Sequence, residues 1–155
     1  MERKKFMDRA VELSLKGSSE GKGGPFGAVI VKNGKIVGEA YNQVTSTNDP
    51  TAHAEVMAIR DACKNLNTFD LTDCEVYTSC EPCPMCLGAI YWARPAKVFY
   101  ANTKQDAAKI NFDDDFIYKE IAKPLNERKL VFEQLMRDEA LEGFKAWENK
   151  TDKTL

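Results

Sequence analysis

The only histidine of the 155-residue chain, His53, stands two residues before Glu55 in His53-Ala54-Glu55, and further along the chain reads Pro82-Cys83-Pro84-Met85-Cys86. One imidazole and two thiolates offer three ligands to a tetrahedral metal ion. Catalytic zinc sites stop at that number, so that water can take the fourth position. Zinc lowers the pKa of such a water from about 15.7 to roughly 7, which supplies a hydrolytic nucleophile at neutral pH. Glu55, a carboxylate the metal does not need, can then carry the proton as general base and general acid. The reading is one Zn2+ per chain on His53, Cys83 and Cys86, with Glu55 as the catalytic proton carrier.

The remaining cysteines weigh against this in different degrees. Cys63 and Cys74 read as small apolar fillers. Cys80 begins a second, overlapping C-x-x-C in Cys80-Glu81-Pro82-Cys83 and could close a Cys3His structural site. Its position at the end of an expected strand, while Cys83 and Cys86 open a helix, favours the three-ligand reading. A purely structural site would also leave Glu55 without a task.

The spacing dictates which elements must present these groups. Two residues apart on a helix point to nearly opposite sides, so His53 and Glu55 can share a site only at the end of their helix, off its first turn. Cys83 and Cys86, three apart, can both face a metal around an opening turn, with Pro84 where a first turn tolerates proline. Two helix N-termini would converge on one ion, and their partial positive charge favours thiolates. Around them the chain predicts a helix within Met1–Leu15 and a glycine-rich loop over Gly21–Gly27. The run Ala28-Val29-Ile30-Val31 then pairs with Ile36-Val37 through a tight Asn33-Gly34 turn. Asp49-Pro50-Thr51 is read as starting the helix that holds Ala52 to Cys63. Further strands are expected at Glu75–Thr78, Val98–Tyr100 and Leu130–Leu135, and further helices at Leu87–Trp92, 104–109, 115–122 and 138–149. Strands alternating with helices imply a sheet covered by helices.

Composition bounds the function. At 155 residues the chain suits one domain, and one of about this size buries roughly 68–70% of its unfolded surface. Lys and Arg number 22 against 24 Asp and Glu, scattered along the chain, whereas nucleic-acid binders gather basic residues on one face. The acidic run Asp113-Asp114-Asp115 argues the same way. No segment is apolar for long enough to span a bilayer. An odd number of cysteines without a secretion signal predicts the reducing cytoplasm. The expected partner is a small molecule, not nucleic acid or membrane.

Four stretches carry a family resemblance: Gly23–Val31, Asn48–Glu55, Thr78–Pro95 and Phe112–Ile121. H-x-E followed by P-C-x-x-C is the signature of zinc-dependent nucleobase deaminases. Together with the F-D-D stretch and the long C-terminal tail, the chain resembles the short, zinc-dependent guanine deaminases of the cytidine-deaminase-like superfamily over nearly its whole length. The resemblance implies an α/β/α sandwich around a five-stranded mixed sheet, hydrolysis of guanine to xanthine, and a homodimer. It also implies that Asn42 and Asp114 contact the purine, with Asp114 assisting catalysis. Phe26 would pack on the ring, and Trp92 would line a site shared with the partner subunit. Residues 1–155 would form one deaminase domain, with 124–155 an extension exchanged between subunits. The chain departs from this pattern at its end, which is polar and lacks an aromatic. Alternatives remain open at this stage: a tRNA adenosine deaminase, which should need a basic surface; a cytosine or nucleoside deaminase, equivalent at the metal; and a zinc-stabilised interaction module.

Overall fold

The computed structural model describes residues 2–112 and 114–154; Met1, Asp113 and Leu155, which entered the sequence reading, lie outside the described residues. The centre of the sheet is β1 (Gly27–Lys32), whose residues are buried on both faces along nearly its whole length. That is the signature of a strand covered above and below. Its Ala28 and Ile30 face one core with Ala54, Ala58, Ala62 and Ala93. Val29 and Val31 face another with Phe6, Leu13 and Tyr77. The alternation is the period-2 geometry of a strand, and it makes three layers: α1 (Glu2–Ser19) on one face, α3 (Ala54–Leu66) and α4 (Pro84–Ala93) on the other.

β2 (Lys35–Tyr41) joins β1 through Asn33 and Gly34, both at positive φ, as a two-residue hairpin turn with right-handed strand twist requires. The strand order is β2-β1-β3-β4, where β3 is Cys74–Cys80 and β4 is Lys97–Asn102. β1 runs antiparallel to both β2 and β3, and β3 runs parallel to β4 across the α4 crossover. The start of β1 and the ends of β2, β3 and β4 therefore gather at one end of a mixed sheet. Phe26, Asn42, Glu81 and Thr103 are placed there by topology alone.

Three expectations need correction. The sheet has four strands among the described residues, not five, because Leu130–Leu135 forms no ladder there. β-prone composition makes a strand only where a partner edge accepts its hydrogen bonds, and Leu130, Val131 and Leu135 lie exposed. The third helix starts at Ala54, not Ala52. Asp49 spends its carboxylate on the backbone N–H and hydroxyl of Thr51, a local turn that competes with helix capping. A short helix α2 (Val44–Thr47) also forms where the sequence reading placed no element.

After β4 come α5 (Lys104–Lys109) and α6 (Asp115–Ile121). Chain contacts divide the molecule into Met1–Tyr118 and Lys119–Leu155. Within the second unit a 3₁₀ turn at Leu125–Glu127 precedes α7 (Arg137–Glu148). The Arg128 guanidinium donates to the carbonyls of Glu120, Ile121 and Lys123. Among the described residues no helix is long and apolar enough to cross a membrane.

Candidate active site

Both metal-ligand segments enter the site as helix caps. His53 is the extended residue immediately before α3 and Cys83 the one before α4. The Cys83 Sγ accepts the backbone N–H of Cys86 at 3.4 Å, and Pro84 fills the first helical position. From these two ends the donors meet: His53 Nδ1 lies 3.4 Å from Cys83 Sγ and 3.5 Å from Cys86 Sγ. All three donor atoms fall within 4.8 Å of one another. A tetrahedral zinc with bonds of about 2.0–2.3 Å sets nitrogen and sulfur ligands about 3.5–3.6 Å apart, so one imidazole and two thiols at these separations fit such an ion.

Charge in the cluster follows from proximity. The hydrogen bond from the Cys86 thiol, then the one with His53, hold Cys83 well below the usual thiol range, to about 4. The same contact pushes Cys86 up, helped by burial. Cys83 also raises His53 above its ordinary value. Cys80 stands apart. Its Sγ lies 3.7 Å from the Thr103 carbonyl, burial raises it to about 11, and it is not among the clustered donors.

Glu55, in the first turn of α3, is buried, and burial pushes its carboxyl up to about 7. It opens with His53 and Cys83 onto a cavity of about 290 Å³ whose wall includes Phe26, Asn42 and Asp114. Asn42 Oδ1 accepts the N–H groups of Gly24 and Val44 at 3.3 and 3.1 Å, which leaves its NH2 as the group it can offer. Phe26 meets Phe112 edge to face, with centroids 5.0 Å apart at 85°. Of the residues singled out in the sequence, all but Trp92 and Cys86 line this cavity. Cys86 is buried behind it as a cluster donor, and Trp92 lies 80% exposed on α4.

The cytidine and deoxycytidylate deaminase zinc-binding region matches residues 1–102, two thirds of the chain, including every donor of the cluster. The chain belongs to this deaminase family. Over 153 residues, 99% of this chain and 98% of the relative, it is 60% identical to a guanine deaminase of Bacillus subtilis (strain 168). A crystal structure of guanine deaminase from Bacillus subtilis superposes with a TM-score of 0.95 at 59% identity, covering 98% of this chain and 97% of that one. A tRNA-specific adenosine deaminase of Buchnera aphidicola subsp. Schizaphis graminum is 36% identical over 116 residues, 74% of either chain.

Sequence reasoning about this deaminase missed part of the cavity wall. Phe112, Glu81, Val44, Thr45 and Pro50 all line it. Phe112 had a signal, since it lies two residues from Asp114. Val44 and Thr45 had none, because their place depends on the turn that returns the chain from β2 toward α3.

Proposed function

We propose that the protein hydrolyses guanine to xanthine and ammonia in the cavity bounded by Phe26, Asn42, Glu55, Phe112 and Asp114. What carries this reading is the meeting of a buried carboxylate, an amide turned to donate and a second carboxylate in one cavity beside the His53, Cys83 and Cys86 donors. The chain's near-complete match to a guanine deaminase supports it. Those three donors would hold the zinc ion, which when bound supplies a water of lowered pKa at its open position.

Glu55 accepts a proton from the attacking water, delivers it to a ring nitrogen as C2 becomes tetrahedral, and helps protonate the departing ammonia. A carboxyl at about 7 suits that double task, because acid and base forms are both populated near neutrality. The Asn42 NH2 suits an acceptor such as the guanine carbonyl oxygen, its own oxygen being held by Gly24 and Val44. Asp114 suits a donor edge and assists proton transfer at the C2 amine. Phe26, braced by Phe112, packs on the ring. An ultraviolet assay across guanine, guanosine, adenine, cytosine and cytidine should show guanine far ahead. Cytidine as the best substrate would overturn the reading.

The assembly is read as a homodimer in the reducing cytoplasm. Tyr91 and Trp92 on α4 are 76% and 80% exposed, and Phe132, Leu135, Phe144 and Trp147 are exposed in the second unit. Apolar side chains at this density support a covering copy of the chain, with Trp92 beside the partner's cavity and residues 124–155 exchanged between subunits of one deaminase domain. Five unbridged cysteines suit a reducing compartment. Light scattering should report a dimer, and truncation after Lys129 should abolish both dimer and activity. A fully active monomeric truncation would remove the exchanged tail from the account.

A further inference from the structure

The cavity wall that carries Phe112 and Asp114 is a long way in sequence from the metal loop, yet it is fastened to it at two adjacent residues. Glu81 uses both its backbone and its side chain. Its N–H donates to the Asn102 carbonyl at 2.8 Å, and its carboxylate accepts the Lys104 N–H at 3.1 Å where α5 begins. The next residue, buried Pro82, takes the Tyr118 hydroxyl on its carbonyl at 3.0 Å. Tyr118 sits one turn along α6 from Asp114, whose carbonyl accepts the Tyr118 N–H. The Lys104 ammonium lies 4.8 Å from the Tyr118 ring centroid, so the start of α5 and the start of α6 are held together. The residue after Pro82 is Cys83, a donor of the metal cluster.

We propose that Tyr118 is a positioning residue: through its hydroxyl on the Pro82 carbonyl it sets the distance between Asp114 and the metal-bearing loop. This rests on the reading of Asp114 as a purine contact. A hydroxyl on a fixed backbone carbonyl has no role in the chemistry, but it fixes the one purine-facing carboxylate that does not come from the metal-bearing segments. Asn42 and Glu55 are held by other elements and do not depend on it. Tyr118 therefore tunes the Asp114 side of the cavity alone.

Tyr118→Phe tests this, since phenylalanine keeps the ring beside Lys104 and removes only the hydroxyl. Losing one net hydrogen bond predicts a fall in guanine kcat/KM of about threefold to tenfold. The fall should be carried mainly by KM, with zinc content unchanged and Tm lowered by no more than about 2–4 °C. Backbone amides of residues 114–118 should exchange with deuterium faster. In an Asp114→Asn background the same change should add less than about twofold, because interacting sites are not additive. Wild-type kinetics and unchanged exchange in Tyr118→Phe would overturn the proposal. So would an equal loss in the Asp114→Asn background, or loss of zinc, either of which would place the effect on Cys83. If the unaltered enzyme failed to turn over guanine, the assigned substrate would fall, and the exchange measurement would still decide whether the hydroxyl holds the segment.

Discussion

The two walls of the cavity are built by different means. The metal wall comes from two helix beginnings, each specified by a few contiguous residues: His53 before α3 and Cys83 before α4, with Glu55 and Cys86 in the turns that follow. The opposite wall has no such local origin. Phe26 leaves a glycine-rich loop, Asn42 follows β2, and Phe112 and Asp114 lie between α5 and α6, beyond the stretch matched by the family as a whole. Chemistry that many relatives share is written in short motifs. The wall we propose for substrate choice is assembled from chain segments that the folded sheet brings together.

The largest effect should come from the metal wall. Cys83→Ala removes a donor that also receives the Cys86 N–H, and should abolish both zinc binding and turnover. Cys80→Ala, by contrast, removes a thiol directed at the Thr103 carbonyl and should keep one zinc per chain by metal analysis. Equal loss of zinc in both variants would mean a four-ligand structural site, and the comparison between a chemical and a recognition wall would lose its basis.

Next in size is Glu55→Gln, which keeps volume and hydrogen bonding but cannot take up the proton. Turnover should fall by roughly 10²–10⁴-fold, while zinc content and purine binding, followed by calorimetry, are retained. Near-normal turnover would assign the proton to another group.

The recognition wall should respond differently. A Cβ on Gly23 would overlap the backbone oxygen and Oδ1 of Asn42, so Gly23→Ala must displace the amide that Gly24 and Val44 orient. We expect KM for guanine to rise about tenfold, the scale of one or two lost hydrogen bonds. Zinc should be retained and selectivity over adenine should narrow. A variant with wild-type KM would show that the amide's orientation is not what reads the ring.

These contrasts match what could be read before the fold was known. Ligand types, the open helix ends and the strand that stops at Cys80 follow from spacing within about 30 residues, and the sandwich follows from alternating elements. Phe112 was legible only as a neighbour of Asp114. Val44, Thr45 and Glu81 carried no signal, because each owes its place to the sheet end where β1 starts and β2 and β3 stop. The Leu130–Leu135 segment misled because apolar, β-prone residues make a strand only when they pair with an edge, and among the described residues this segment pairs with none. The helix start slipped by two residues because Asp49 caps a turn at Thr51 and leaves His53 as the last extended residue.

The smallest predicted effect serves as a control that touches neither wall. On the far face, Arg9 of α1 grips Glu39 of β2 with two bonds, Nε to Oε2 at 2.7 Å and Nη2 to Oε1 at 3.0 Å. The guanidinium holds the Glu39 carboxyl below its ordinary value of 4.5. A depressed acid contributes stability that is present above 4.5 and is lost as pH falls through the lower, folded-state value. Both side chains remain about one third exposed, so solvent screening limits the pair to under about 1 kcal/mol, or roughly 2–4 °C in Tm for a chain of this size. Glu39→Gln should therefore lower Tm slightly at pH 7, and the gap to the unaltered protein should close as pH falls below 4.5 and through the lower, folded-state value. Guanine kcat/KM at neutral pH should not change. If it does, the two walls are coupled through the sheet, and their separate origins in sequence do not make them separate in function.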